Sequence, residues 1–174
     1  MRQLLLLRHA KSSWDDPGLA DHSRPLNRRG KLAAQAMRSA LEGLGLAPDL
    51  ILVSTSRRTL QTMQELEPWA DTPLVELLDS LYLANAEGVL TALRTTPETV
   101  RSVLLIGHNP GLHEAASRLA GTGPDTTELA RLRASYPSGA LAEFSISGPW
   151  GTLGDGGGRL VRFLCPRDLP DVAA

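Results

Sequence analysis

The strongest constraint on the fold is a set of short apolar runs, each followed by a segment with helical features. Gln3–Leu7, Asp49–Val53 and Ser102–Ile106 have the length of strands and are dominated by Leu, Ile and Val. Continuous apolar runs of this length are typical of strands that are buried on both faces. Their alternation with helices predicts an α/β fold, a three-layer sandwich with a mostly parallel central sheet and helices on both faces.

The helices are predicted from apolar periodicity and from residues that favour helix ends. Asn27 is a good N-cap and Gly45 a good stop signal for the first helix, and Pro68 limits the second. The predicted helices are Arg28–Leu44, Arg57–Trp69, Ala86–Thr95 and Pro110–Ala120.

The C-terminal part of the chain predicts an antiparallel addition to the sheet. Gly139–Ser147 and Arg159–Cys165 have strand character, and the glycine-rich turn Gly154–Gly158 joins them as a hairpin. Leu74–Leu77 is a further short strand. A length of 174 residues fits one domain, 1–174, with its own hydrophobic core.

Charge, apolar run length and cysteine content argue against nucleic-acid binding, a membrane span and an internal disulfide. The formal net charge is −1, so the chain lacks the overall positive field that attracts nucleic acid. The early apolar run Leu4–Leu7 is too short for a membrane span. Cys165 is the only cysteine, which excludes an internal disulfide. We expect a cytoplasmic monomer that binds neither nucleic acid nor membranes.

Reactive side chains follow three of the predicted strands. These strands run into Arg8–Ser12, Ser54–Arg58 and Gly107–Pro110, which together hold two histidines and several arginines. Ligands of open α/β sheets bind at the carboxyl ends of the strands, so these groups should converge. A single histidine after a strand is usually structural, but arginine forks and a neutral imidazole together suit phosphoryl transfer.

These segments resemble the sequence blocks of the histidine phosphatase superfamily. Leu7–Ala10, Leu26–Gly30, Ser54–Thr62 and Ile106–Pro110 are similar to its blocks and occur in its order. The stretch from Arg8–Ser12 to Asp21–Leu26 is similar to the SixA-type phosphohistidine phosphatase branch. The resemblance implies a phosphoglycerate mutase-like fold. We expect no cofactor and no metal, because the arginines supply the positive charge.

The resemblance also implies roles for individual residues. His9 would be the phosphorylated nucleophile, Arg8 and Arg58 would clamp the phosphoryl oxygens, and His108 would hydrogen-bond the transferring group. Arg57 is adjacent, but the spacing to Gln61-Thr62 favours Arg58.

The sequence also offers candidates for a proton donor and for substrate-binding residues. Asp79 is the candidate proton donor, from its spacing to Tyr82, and Glu76 is its rival. A solvated carboxylate is the alternative interpretation for both. The candidate substrate-binding residues are Ser12, Asp15, Arg24 and Asn109.

The predicted function is a phosphatase that works through a phosphohistidine intermediate and acts on phosphohistidine in proteins. No large insertion lies between Arg58 and His108 to close a lid, which suits a bulky substrate. The alternatives are a phosphomonoesterase or mutase for a small phosphorylated metabolite, and a non-catalytic module that binds phosphate or phosphoproteins. His113 lies five residues after His108, which is not the spacing of a helical zinc pair.

Overall fold

A computed structural model describes residues 1–170, which form one six-stranded sheet with helices on both sides. Short 3-10 helices at Asp21–Ser23 and Asp79–Leu81 lie in the loops that matter for the site. The strands and helices, in chain order, are β1 Arg2–Arg8, α1 Arg28–Leu44, β2 Leu50–Ser54, α2 Arg57–Glu65, β3 Leu74–Leu78, α3 Ala86–Arg94, β4 Ser102–Gly107, α4 Gly111–Ala120, α5 Thr127–Ala134, β5 Leu141–Ile146 and β6 Gly158–Leu164.

The strand order is β3-β2-β4-β1-β5-β6. β3, β2, β4 and β1 pair in parallel, whereas β5 is antiparallel to β1 and β6 is antiparallel to β5. The predicted mostly parallel sheet and its C-terminal hairpin are therefore confirmed. The four parallel strands bring their carboxyl ends to one edge.

The core is divided between the two faces of the sheet. Leu4 and Leu6 of β1 pack on one face with residues of α3, α4 and α5, while Leu5 and Leu7 pack on the other with residues of α1. Successive strand residues point to opposite faces, so a strand covered on both sides is apolar throughout. This explains why the apolar runs of the sequence are continuous.

Two helices differ from the prediction. α2 ends at Glu65 instead of Trp69, because Glu67 precedes Pro68 and a residue before proline disfavours the helical conformation. α5 was not predicted, since it buries only Leu129 and Leu132 and so has a short apolar stripe. In residues 1–170 no helix is long and apolar enough to cross a membrane.

Candidate active site

Two histidines lie side by side at the carboxyl edge of the sheet. β1 and β4 are neighbours, with Arg8 in register with Gly107, so His9 and His108 leave adjacent strands at the same level. Their ring centroids are 5.2 Å apart. His9 is 8 % exposed and His108 is 2 % exposed. The sheet thus places two buried imidazoles together at its ligand-binding edge.

Arg58 reaches the same point from the first turn of α2. Its Nε lies 3.4 Å from Nε2 of His9, and one of its terminal nitrogens lies 3.5 Å from Nδ1 of His108. Arg58 is 3 % exposed, whereas Arg57 is exposed and directed towards the carbonyl of Ser23. The choice of Arg58 over Arg57 therefore agrees with where the two side chains lie.

Two residues of α2 that follow Arg58 hydrogen-bond to the loop between β1 and α1. The Thr62 hydroxyl accepts a hydrogen bond from the backbone N–H of Ala10, and the Gln61 side chain accepts one from Leu26. Gly30 of α1 lies so close to Lys11 that a Cβ would stand 2.1 Å from its carbonyl oxygen. These contacts fix the loop that carries His9.

The hydrogen bonds of His9 decide which ring nitrogen keeps a lone pair. Nδ1 lies 2.7 Å from the carbonyl oxygen of Ala10, and a carbonyl only accepts, so Nδ1 carries the hydrogen. The lone pair of the neutral ring is then on Nε2, which faces Arg58. Burial, with the charges of Arg58, Arg8 and Arg24 acting in the same direction and the bond to Ala10 opposing them, lowers the pKa of His9 to about 4. His9 is therefore neutral at pH 7.

His108 is also neutral at pH 7. Its Nε2 lies 2.8 Å from the Ser54 hydroxyl. Burial lowers the pKa of His108 to about 3, with His9 and Arg58 acting in the same direction and Asp21 opposing them. A bound dianion would raise this pKa, because negative charge nearby favours the imidazolium.

Arg8 has a donor that no protein group satisfies. One terminal nitrogen donates to the Tyr136 carbonyl at 3.0 Å. Its Nε is buried and has no hydrogen-bond partner within residues 1–170, and the same is true of Oδ1 of Asn109. Buried polar atoms are seldom left without a partner, so these two atoms are exceptions in the structure.

A carboxylate that was not predicted from the sequence, Asp21, binds two of the arginines. Asp21 accepts hydrogen bonds from Arg58 at 3.0 Å, from Arg24 at 3.1 Å and from the Tyr82 hydroxyl. The Tyr82 bond, followed by the contacts with Arg58 and Arg24, lowers the pKa of Asp21 to about 2. Asp21 is thus ionised and cannot act as a proton donor at neutral pH.

These residues surround one cavity of about 380 Å³. We call the residues at its base, Arg8, His9, Arg58 and His108, the floor. Four exposed loop residues line the cavity, and we call three of them, Trp14, Asp21 and Leu83, the rim. The remaining lining residues are Lys11, Ser12, Arg24, Asn109 and Ser138.

The structure brings most of the predicted residues to this cavity, but not two carboxylates. Ser12, Arg24 and Asn109 line it, whereas Asp15 and Asp79 do not. Asp15 is exposed, and the Asp79 carboxylate accepts a hydrogen bond from Thr55 outside the cavity. This placement does not support Asp79 as a proton donor.

The residues on the rim are held in defined positions. The Arg24 guanidinium lies 3.5 Å from the centre of the Trp14 ring and donates to the Ser12 hydroxyl at 2.8 Å. Leu83 has a φ of 50°, and it is the only non-glycine residue with positive φ in the described part of the chain. In residues 1–170 no group of three or more His, Cys, Asp or Glu side chains could hold a metal ion.

Comparison with known proteins identifies the family. The sequence profile of the Histidine phosphatase superfamily (branch 1) matches residues 4–81. Phosphohistidine phosphatase SixA of Escherichia coli is 31 % identical over 111 residues, which cover 62 % of this chain and 68 % of SixA. The chain belongs to the histidine phosphatase superfamily.

Other relatives extend the similarity to almost the whole chain. A structure from Agrobacterium tumefaciens, assigned to phosphohistidine phosphatase SixA, is 31 % identical with a TM-score of 0.80, covering 95 % of this chain and 98 % of that one. The Arabidopsis thaliana protein At3g52155, chloroplastic, whose function is uncharacterised, is 37 % identical over 163 residues, covering 86 % of this chain and 74 % of that protein. The histidine phosphatase described here is therefore of the SixA type.

Proposed function

We propose that this histidine phosphatase hydrolyses phosphohistidine in proteins, through a phosphorylated His9 and without a metal ion. The observation that carries the proposal is the unprotonated Nε2 of His9, which accepts a long hydrogen bond of 3.4 Å from Nε of Arg58 at the cavity. Arg8 lines the same cavity and supplies a second guanidinium there. A neutral nucleophile between two arginines is suited to a phosphoryl group.

The first half-reaction transfers the phosphoryl group to the protein. Nε2 of His9 forms a bond to phosphorus while the bond from phosphorus to the substrate imidazole breaks, and the electron pair stays on that imidazole nitrogen. A substrate ring protonated on its other nitrogen departs as neutral imidazole, so it needs less help from an acid than an alkoxide would. Arg8 and Arg58 stabilise the equatorial oxygens, and His108 donates a hydrogen bond once Nδ1 holds a proton.

The second half-reaction releases phosphate. Water attacks phosphorus, the bond to Nε2 of His9 breaks, and its electron pair returns to the ring. The arginines of the cavity supply the positive charge that a metal ion supplies in other phosphatases. The ionised Asp21 offsets part of the positive charge of Arg58 and Arg24 in the cavity.

The open cavity supports a protein substrate over a small metabolite. The chain between Arg58 and His108 is accounted for by α2, β3, α3 and their short connections, so it contains no long insertion that closes over the site. Enzymes for small phosphorylated metabolites more often enclose their substrates to exclude water. A phosphorylated side chain on another protein can enter an open site.

The nucleophile is tested by substitution and trapping. We expect His9→Ala to lose at least ~10³-fold in phosphatase rate and to form no acid-labile phosphoenzyme, since the covalent route is gone. The matched control is His113→Ala, because His113 bonds the Leu132 carbonyl outside the cavity. Mass spectrometry of the enzyme trapped with a phosphohistidine peptide should locate the phosphate on His9.

The substrate class is tested by comparing leaving groups. The wild-type protein should turn over a phosphohistidine peptide faster than a phosphoserine peptide or a sugar phosphate. Preference for a sugar phosphate would favour a metabolite phosphatase, and an absence of turnover on every substrate would favour a phosphate-binding module. Retention of most of the rate by His9→Ala would show that the nucleophile is wrong.

A further inference from the structure

The cavity has two apolar side chains at its mouth that the phosphoryl chemistry does not use. Trp14 is 75 % exposed and Leu83 is 56 % exposed, and both line the cavity that also contains the buried His9, Arg58 and His108. Phosphate oxygens bind charged and hydrogen-bonding groups, not apolar surfaces. These side chains therefore call for another explanation.

Trp14 is fixed by a contact with another side chain, and Leu83 has an unusual backbone conformation. The Arg24 guanidinium covers the Trp14 ring at 3.5 Å, and Arg24 is itself fixed by Asp21 and Ser12. Leu83 is held at φ 50°, a conformation that is unfavourable for a residue with a Cβ. Backbone strain that persists at a binding site is often part of its function.

The direction of the reaction indicates what contacts them. In phosphoryl transfer the leaving group lies in line with the nucleophile, on the far side of phosphorus. His9, Arg58 and His108 are buried, so a leaving group opposite His9 extends towards the open mouth of the cavity. The mouth is where Trp14 and Leu83 are exposed.

We propose that Trp14 and Leu83 bind the imidazole ring and flanking residues of a phosphohistidine side chain, and so determine substrate specificity. This inference rests on the proposed function. An aromatic ring or imidazolium gains from stacking on an indole face, and Trp is the best partner for a cation. Arg24 covers one face of Trp14 and keeps the ring in place for a ligand at the cavity mouth.

The test compares two substrates that share the same bond and differ in the leaving group. Phosphoramidate has the phosphorus–nitrogen bond of phosphohistidine but no ring. We expect Trp14→Ala to lower kcat/KM about tenfold for a phosphohistidine peptide, the effect of losing one stacking contact, and to change it less than about twofold for phosphoramidate. Trp14→Phe should retain most of the peptide activity.

Leu83→Gly provides a second variant with low risk of misfolding, because glycine adopts positive φ without strain. It should lower kcat/KM for the peptide about threefold, a smaller effect because only an aliphatic contact is lost, and leave phosphoramidate unaffected. Leu74→Ala is the matched control, since Leu74 is 72 % exposed on β3 and does not line the cavity. It should affect neither substrate.

Three outcomes would overturn the inference. Equal losses on both substrates in Trp14→Ala would mean that Trp14 acts through Arg24 and the phosphate, not through the leaving group. Unchanged peptide activity in both Trp14→Ala and Leu83→Gly would exclude the contact and leave the proposed function intact. A wild-type protein that cleaves p-nitrophenyl phosphate but not the peptide would refute the phosphohistidine substrate and the inference together.

Discussion

The floor and the rim of the cavity are built in different ways. The floor residues lie at or just beyond strand ends, or in the first turn of α2, and are held by the parallel sheet. The rim residues come from loops, two from the connection between β1 and α1 and one from the turn after β3. A rigid scaffold with variable loops is a common division in enzymes. This division matches the proposal that the floor performs the phosphoryl chemistry and that Trp14 and Leu83 of the rim select the substrate.

The sharpest test of this division is a pair of adjacent arginines. Arg58→Ala should lower kcat/KM about 10²- to 10³-fold, because it removes a buried donor to the transferring group. Arg57→Ala should change it less than about twofold, since Arg57 is exposed and does not line the cavity. Steady-state kinetics with a chromogenic phosphate ester would measure both. Equal losses of kcat/KM in the two variants would contradict the assignment of Arg58, and not Arg57, to phosphoryl transfer.

The sequence located the floor because two simple rules act together there. Apolar runs mark the buried strands, and parallel strands bring their ends to one edge, so Arg8, His9 and His108 could be placed without coordinates. The second arginine needed the family resemblance, because Arg57 and Arg58 share the same helix start. The geometry agrees with that choice, while the catalytic roles themselves remain predictions.

The rim was not found because loop conformation does not follow from periodicity. Asp21 had one usable signal, since it lies three residues before Arg24 in the block that resembles SixA-type proteins. Trp14 had no signal beyond its position near Ser12. Leu83 could not be predicted, because a leucine at positive φ contradicts local propensity and is imposed by its surroundings. The same limit explains why Asp79 was chosen as an acid that the structure places outside the cavity.

A second test asks whether the rim also supports the floor. Asp21 hydrogen-bonds Arg58 and Arg24, so Asp21→Asn should disturb both guanidinium groups. We expect kcat/KM to fall about five- to tenfold, an effect limited by the partial exposure of Asp21. The matched control is Asp79→Asn, which should cost less than about twofold because Asp79 does not line the cavity.

The variants of Asp21 and Asp79 distinguish a residue that positions the arginines from one that takes part in proton or phosphoryl transfer. A loss of kcat/KM in Asp21→Asn as large as that in Arg58→Ala would show that Asp21 takes part in phosphoryl transfer. A large loss in Asp79→Asn, with an altered pH profile, would restore Asp79 as the proton donor despite its position. Circular dichroism and thermal melting of each variant would exclude loss of the fold.

The smallest expected effect is the response of the floor to mild acid. Burial lowers the pKa of His9 to about 4 and that of His108 to about 3, so His9 should remain about nine-tenths neutral at pH 5. Nuclear magnetic resonance titration of the free protein should show both imidazoles changing charge well below the ordinary value near 6.5. Inorganic phosphate should raise both midpoints, because it adds negative charge beside the rings.

The same shifts make the stability of the fold depend on pH. Between pH 6.5 and about 4 the unfolded chain binds protons at His9 and His108 that the folded protein does not, so the stability falls as the pH falls through this window. His9→Ala removes one of these groups and should therefore melt with a weaker pH dependence in the same range. Midpoints near 6.5 in the free protein would mean that the floor is as open to solvent as the rim, and the distinction between the two regions would fail.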